Sequence, residues 1–276
     1  MDNDVMIDRM RGLLWGLIVG DCLGSPVQFM EMDSFPRVTE MLPCGFFNTP
    51  AGYWTDDGAM ALCIMNSAVN CKGYDLEDIA DCFISWYDEG FCSSLDYAFD
   101  IGTATATGIL GLKRNQFRNG FEDSQGNGSI MRFAPTLLLD RGDNRIIHEI
   151  SDLTHNSCKV RETADLMAEI CRSHLQGEKT YHFSEYKTRE EVDNSGWAVS
   201  TLQAALWAFR RTDTFEDALI EAVNLGGDAD TIGAVCGQIA GAYYGYSAIP
   251  ERWLAAIKDR EKLEELINDF IDVCTG

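Results

Sequence analysis

With 276 residues, 46% of them hydrophobic, the chain is long enough to bury a sizeable core as one large domain or two small ones. A formal charge of -22, from 22 basic against 44 acidic residues with no basic stripe, argues against direct nucleic-acid binding, which needs clustered Lys and Arg. No apolar run approaches the roughly 20 residues of a membrane span, and the acidic first ten residues lack the basic start and apolar core of a secretion signal. Ten cysteines lie scattered from Cys22 to Cys274 without CxxC pairs, several in apolar stretches like Cys63 and Cys236, and read as buried free thiols in a reducing, cytoplasmic setting.

In chain order, Met6, Met10, Leu13, Leu14 and Leu17 fall at three- and four-residue spacings and predict a first helix that stops near Gly20. Pro26, Pro36, Pro43 and Pro50 follow, so the segment up to Trp54 is expected to be irregular; its aromatics, Phe29, Phe35, Phe46, Phe47, Tyr53 and Trp54, argue that it is ordered. Helical stretches are then predicted over 58–69, 76–87, 96–112, 130–139, 159–175, 196–210, 214–224, 232–244 and 251–270, with almost no strand-like alternation. The polar stretch 176–195 reads as a solvated excursion. The expectation is an all-α chain of ten or more helices, folded as a single domain over 1–276.

Two segments carry the chemistry. Thr55-Asp56-Asp57 and Gly226-Gly227-Asp228-Ala229-Asp230-Thr231 each run into a small, apolar, helix-like stretch. One such cluster is explained by helix capping alone. Two of them, with no Lys or Arg inside either, would repel strongly if the helices started side by side, unless a cation lay between them. Oxygen donors without a His or Cys pattern suit Mg²⁺ or Mn²⁺ rather than zinc.

Six segments in order, Gly20-Asp21-Cys22-Leu23-Gly24-Ser25-Pro26-Val27, Trp54-Thr55-Asp56-Asp57, Asp100-Ile101-Gly102-Thr103, Gly126-Asn127-Gly128-Ser129-Ile130-Met131-Arg132, Thr154-His155 and Gly226 to Thr231, resemble the signature series of the ADP-ribosylglycohydrolases over nearly the whole chain. The resemblance implies a compact orthogonal multi-helix bundle with two Mg²⁺ or Mn²⁺ ions at the bottom of a cleft that receives ADP-ribose. It implies metal ligation by Thr55, Asp56, Asp57, Asp228, Asp230 and Thr231, and hydrolysis of the bond between ADP-ribose and a modified side chain, arginine first among the candidates. Serine, nucleic-acid and acyl conjugates stay open. Cleavage of such a bond passes through an oxocarbenium-like state that carboxylates stabilise, with Asp57 and Asp230 as candidates to activate water and Asp100 to meet the leaving group.

The resemblance also places Gly102, Thr103, Asn127, Gly128, Ser129, Met131 and His155 against the substrate, with the 126–129 turn at the diphosphate. Read without it, that turn is an ordinary cap and Asp100 a capping residue. Arg132 reads equally as the partner of a structural carboxylate. His148, His174 and His182 have no ligand spacing and no assigned role. Gly233, Gly237, Gly241 and Gly245 repeat every four residues and predict a close helix contact. Tyr243, Tyr244 and Tyr246 read as core or rim rather than as an adenine platform. Many family members carry a Glu where this chain has Gln28; an amide is no general base, so either Glu31 or Asp33 substitutes, or the chain is a weak or inactive ADP-ribose-binding protein. Its expected partners are ADP-ribose and an ADP-ribosylated protein or small conjugate, and a monomer is expected.

Overall fold

The computed structural model of the chain describes residues 2–180 and 185–276, so His182 lies outside the described residues. Among these the regular structure is helical: α1 (Asn3–Gly24), α2 (Asp56–Cys71), α3 (Leu76–Glu89), α4 (Thr103–Leu112), α5 (Phe133–Leu139) and α6 (Arg145–Asp152), then α7 (Cys158–Leu175), α8 (Ala198–Arg210), α9 (Phe215–Val223), α10 (Ala229–Tyr244), α11 (Glu251–Leu254) and α12 (Arg260–Thr275). Among the described residues only two isolated bridges, Cys44 with Thr49 and Gly126 with Trp197, are strand-like. Buried apolar side chains from all twelve helices join in one cluster. No described helix is long and apolar enough to cross a membrane.

The helix pair that positions the site is α1 with α10. A Cβ added at Gly12, Gly16, Gly20 or Gly24 would overlap the backbone of Gly241, Gly237, Gly233 or Ala229 respectively. The sums of these pairs are constant, so the helices run antiparallel with their backbones in direct contact. A glycine stripe on each helix permits this approach, and it sets the C-terminal end of α1 beside the first turn of α10. The predicted stripe Gly233, Gly237, Gly241 does this packing; Gly245, which ends α10 at φ 85 beside the Asp8 carboxylate, also has its backbone against Gly12. At that end Tyr243 and Tyr244 pack with Phe209 and His174, away from the site.

Several boundaries differ from the sequence expectation. Helix α1 continues past Gly20 to Gly24, because its glycines serve packing rather than termination. Residues 96–102 are not helical: Asp100 sits at φ 58 and α4 starts after Gly102, so Asp100 caps nothing. Residues 127–129 form a 3₁₀ turn and α5 starts only at Phe133. The predicted helix 251–270 is two helices, parted where Asp259 adopts φ 50. Helix α6 was not predicted; the Asp140 carboxylate organises its start by accepting from the amides of Gly142, Asn144 and Ile146. The excursion 176–195 is tethered by Arg189, which donates to the Asn224 carbonyl and pairs with Asp33.

Candidate active site

Thr55 precedes α2, and Asp56 and Asp57 occupy its first turn. The turn is held from α1. Fully buried Asp21 accepts from the Thr55 amide (2.9 Å), the Thr55 hydroxyl (2.9 Å) and the Gly58 amide (2.9 Å). Burial pushes the Asp21 carboxyl up to about 7, although these donors pull the other way. Sequence reasoning gave Asp21 no role. The available signal was a lone carboxylate in the apolar second half of α1.

The second cluster is held by backbone. Gly226 and Gly227 both take left-handed conformations, φ 65 and φ 62. This bend lets Gly227 exchange hydrogen bonds with the 28–30 loop: its amide donates to the Met30 carbonyl (2.8 Å), and the Phe29 amide donates to its carbonyl (2.7 Å). The Asp228 amide donates to Asn194, and Asn127 Nδ2 donates to Asp228 Oδ2 and to Thr201 Oγ1. Asp230 follows in the first turn of α10, fully buried.

The clusters meet at Asp57, whose Oδ2 lies 3.5 Å from the Thr55 hydroxyl and 3.4 Å from the Thr231 hydroxyl. Asp57 Oδ1, both oxygens of Asp230 and Asp100 Oδ2 are buried with no hydrogen-bond partner. Burial first, and then the neighbouring carboxylates, hold Asp56, Asp57 and Asp230 well above the ordinary range. Burial likewise raises Asp228, and raises Asp100 to about 6. The nearest buried cation is Arg132. It pairs with no carboxylate among the described residues, donating to Thr154 Oγ1 (2.7 Å) and Met60 Sδ and lying over the Phe83 ring, and burial lowers it to about 10.

Such a set is unfavourable unless it is protonated or a cation joins it. Among the described residues no three Asp, Glu, His or Cys side chains close around one point. The donor chemistry nonetheless fits a hard divalent cation, because the orphaned atoms are carboxylate oxygens, with two threonine hydroxyls against the other oxygen of Asp57.

A cavity of ≈ 570 Å³ opens over the junction. Asp56, Asp57, Asp228 and Thr231 line it, whereas Thr55 and Asp230 lie buried behind its wall. Gln28, Asp100, Gly102 and Thr103 form one part of the lining; Asn127, Gly128, Met131 and His155 form another. Ser129 does not line it, and its hydroxyl donates to Ser151. Neither Glu31 nor Asp33 lines it: both are on the surface, and Asp33 pairs with Arg189 at 3.0 Å. They are therefore not placed to replace a carboxylate at Gln28. Phe29, Phe46 and Thr105 line the cavity without having been assigned to it.

His155 is buried against Gly128, and its Nδ1 lies 2.7 Å from Thr154 Oγ1. Burial, with Arg132 nearby, lowers it to about 3, so the ring is neutral. Thr154 Oγ1 therefore stands between the Arg132 guanidinium and the His155 ring.

The ADP-ribosylglycohydrolase family profile matches residues 2–276. ADP-ribosylarginine hydrolase Tri1 of Pseudomonas putida (strain GB-1) is 33% identical, over 96% of this chain and 78% of its own length. Human ADP-ribosylhydrolase ARH3 is 28% identical over 94% of this chain and 92% of its own. A solved structure described as an ADP-ribosylglycohydrolase-related protein complex superposes with a TM-score of 0.85 at 34% identity, covering 99% of this chain and 100% of that one. On these grounds the chain belongs to the ADP-ribosylglycohydrolase family.

Proposed function

We propose that the protein hydrolyses the glycosidic bond between ADP-ribose and a modified arginine side chain, at a dinuclear Mg²⁺ or Mn²⁺ centre held by Thr55, Asp56, Asp57, Asp228, Asp230 and Thr231. The observation that carries this reading is the meeting of two acidic helix starts at Asp57, with orphaned carboxylate oxygens beside a cavity. Arginine is favoured because a relative 33% identical is an ADP-ribosylarginine hydrolase. When bound, divalent cations neutralise the carboxylates, orient ribose hydroxyls and lower the pKa of water.

The chain supplies the rest. Water oxygen bonds to the anomeric carbon as the C–N bond breaks; Asp57, which lines the cavity and has an unpartnered oxygen, takes the water proton in preference to Asp230, which does not line it, and the departing guanidine takes up a proton in turn. Asp100, in the cavity wall with one unpartnered oxygen, holds the leaving group. His155 places a neutral imidazole beside the Gly126–Ser129 turn, which is assigned to the diphosphate. All of this happens in a buried site where preorganised groups act strongly.

The test is release of ADP-ribose from arginine-, serine-, nucleic-acid- and acetyl-linked conjugates with Mg²⁺, Mn²⁺ or chelator. Release from the arginine conjugate that chelator abolishes is the expected result. Silence across the panel, with ADP-ribose still bound, would make the chain a binder, as Gln28 allows.

A further inference from the structure

Aromatic side chains run in a continuous chain of contacts at the edge of the cavity. Phe29 packs on Phe46 (ring centroids 5.0 Å), Phe46 on Phe47 (4.9 Å), Phe47 on Phe99 (5.2 Å) and Phe99 on Tyr97 (6.4 Å), each edge to face. The chain of rings connects the neighbour of Gln28, which is Phe29, to the neighbour of Asp100, which is Phe99. Phe29 and Phe46 line the cavity while remaining 57% and 71% exposed. Rings so fixed by one another and left open to solvent mark a contact surface rather than a core.

Two acceptors line the same cavity as Phe29 and Phe46. Gln28 is only 6% exposed, and its Oε1 is buried without a hydrogen-bond partner; the Asp100 carboxyl, which faces the side chains of Gln28 and Asp230, has its Oδ2 otherwise unpartnered. A group that satisfies both must be a donor. Of the carboxylates that line the cavity, Asp56, Asp57 and Asp228 are assigned to the divalent cations, which leaves Asp100, with no Lys or Arg among the described lining residues, to favour a cationic group. A planar cation that carries only donors and stacks on aromatic faces is a guanidinium.

The geometry points to Phe29, Phe46 and Gln28 as the residues that select guanidinium as the leaving group: the rings stack the modified arginine, and Gln28 Oε1 accepts from one of its N–H groups. This assignment rests on the arginine hydrolysis proposed above. It gives Gln28 a purpose of its own, because its amide oxygen accepts from a guanidinium N–H without adding a further negative charge to the carboxylates already there.

Phe46→Leu, Phe46→Tyr and Gln28→Leu separate the possibilities, with kcat and KM measured on ADP-ribosyl-arginine in Mg²⁺ and Kd measured for free ADP-ribose. Phe46→Leu is expected to lower kcat/KM about three- to tenfold, chiefly through KM, and Phe46→Tyr to keep it near wild type, because the tyrosine retains the ring face. Gln28→Leu is expected to cost about tenfold by removing the acceptor. ADP-ribose affinity should hold to within about twofold in all three, since the free product lacks the guanidinium. Parallel loss of ADP-ribose affinity would reassign the rings to the ADP-ribose moiety. Unchanged kcat/KM in both Phe46→Leu and Gln28→Leu would overturn the proposal outright. If the wild-type protein releases nothing from the arginine conjugate, it is the underlying reading that fails.

Discussion

The first turn of α2 is held by a side chain, Asp21, which accepts three hydrogen bonds from it; the first turn of α10 is held by backbone, through two left-handed glycines hydrogen-bonded to the 28–30 loop. Both starts carry two Asp and a Thr, and both rest on the same α1–α10 contact. Their vulnerabilities differ. The first start depends on a buried charge and so on whatever balances that charge. The left-handed bend that leads into the second depends on shape, which neither pH nor ions alter.

The largest effect is expected at the first start. Asp21→Ala strands the Thr55 amide, the Thr55 hydroxyl and the Gly58 amide in a dry interior. We expect a loss of about 3 kcal/mol in urea unfolding, and less for Asp21→Asn, which keeps one acceptor oxygen. An Asp21→Ala protein as stable as wild type would mean that α2 does not need this anchor. Gly227→Ala attacks the second start: at φ 62 a side chain is strained, and its Cβ would overlap Asn194. About 2 kcal/mol should be lost, with no dependence on divalent ions in the contrast to wild type. A Gly227→Ala penalty that disappeared with Mg²⁺ would break the contrast between the two starts.

Much of this could be read in the sequence, for specific reasons. Helical period exposed most of the helices, and the two Asp/Thr clusters stood out because capping requires only one such residue. What stayed hidden depends on partners distant in sequence. Asp21 looks like any carboxylate until its acceptor role 34 residues away is seen. Likewise, α6 is set by three amides converging on Asp140, and the break at Asp259 by a left-handed residue that is not glycine. The glycines at 12, 16, 20 and 24 carry the same four-residue period as those in α10, yet Gly20 was read as a stop, since a stop and a contact stripe use the same residue.

The smallest effect is also the one that tests the charge argument directly. Asp21, raised to about 7, and Asp100, raised to about 6, keep protons in the folded state that the unfolded chain, near 3.8, has already released. The folded state therefore binds more protons, and the stability these groups contribute at low pH is lost as pH rises towards 7. Buried Asp56, Asp57 and Asp230 act in the same direction. His155, lowered to about 3, acts in the opposite one, because the unfolded imidazole binds a proton below about 6.5. Asp230→Asn removes one carboxylate of the cluster and leaves His155 in place, so the difference between variant and wild type isolates the cluster. In chelator the variant should gain about 1 kcal/mol on wild type near pH 7 and less near pH 5. With Mg²⁺ the gain should vanish, because wild type alone binds the ion that offsets its charge. Thermal melts across that range decide the matter: a variant that tracks wild type at every pH and in both solutions would show that folding does not raise the pKa of Asp230.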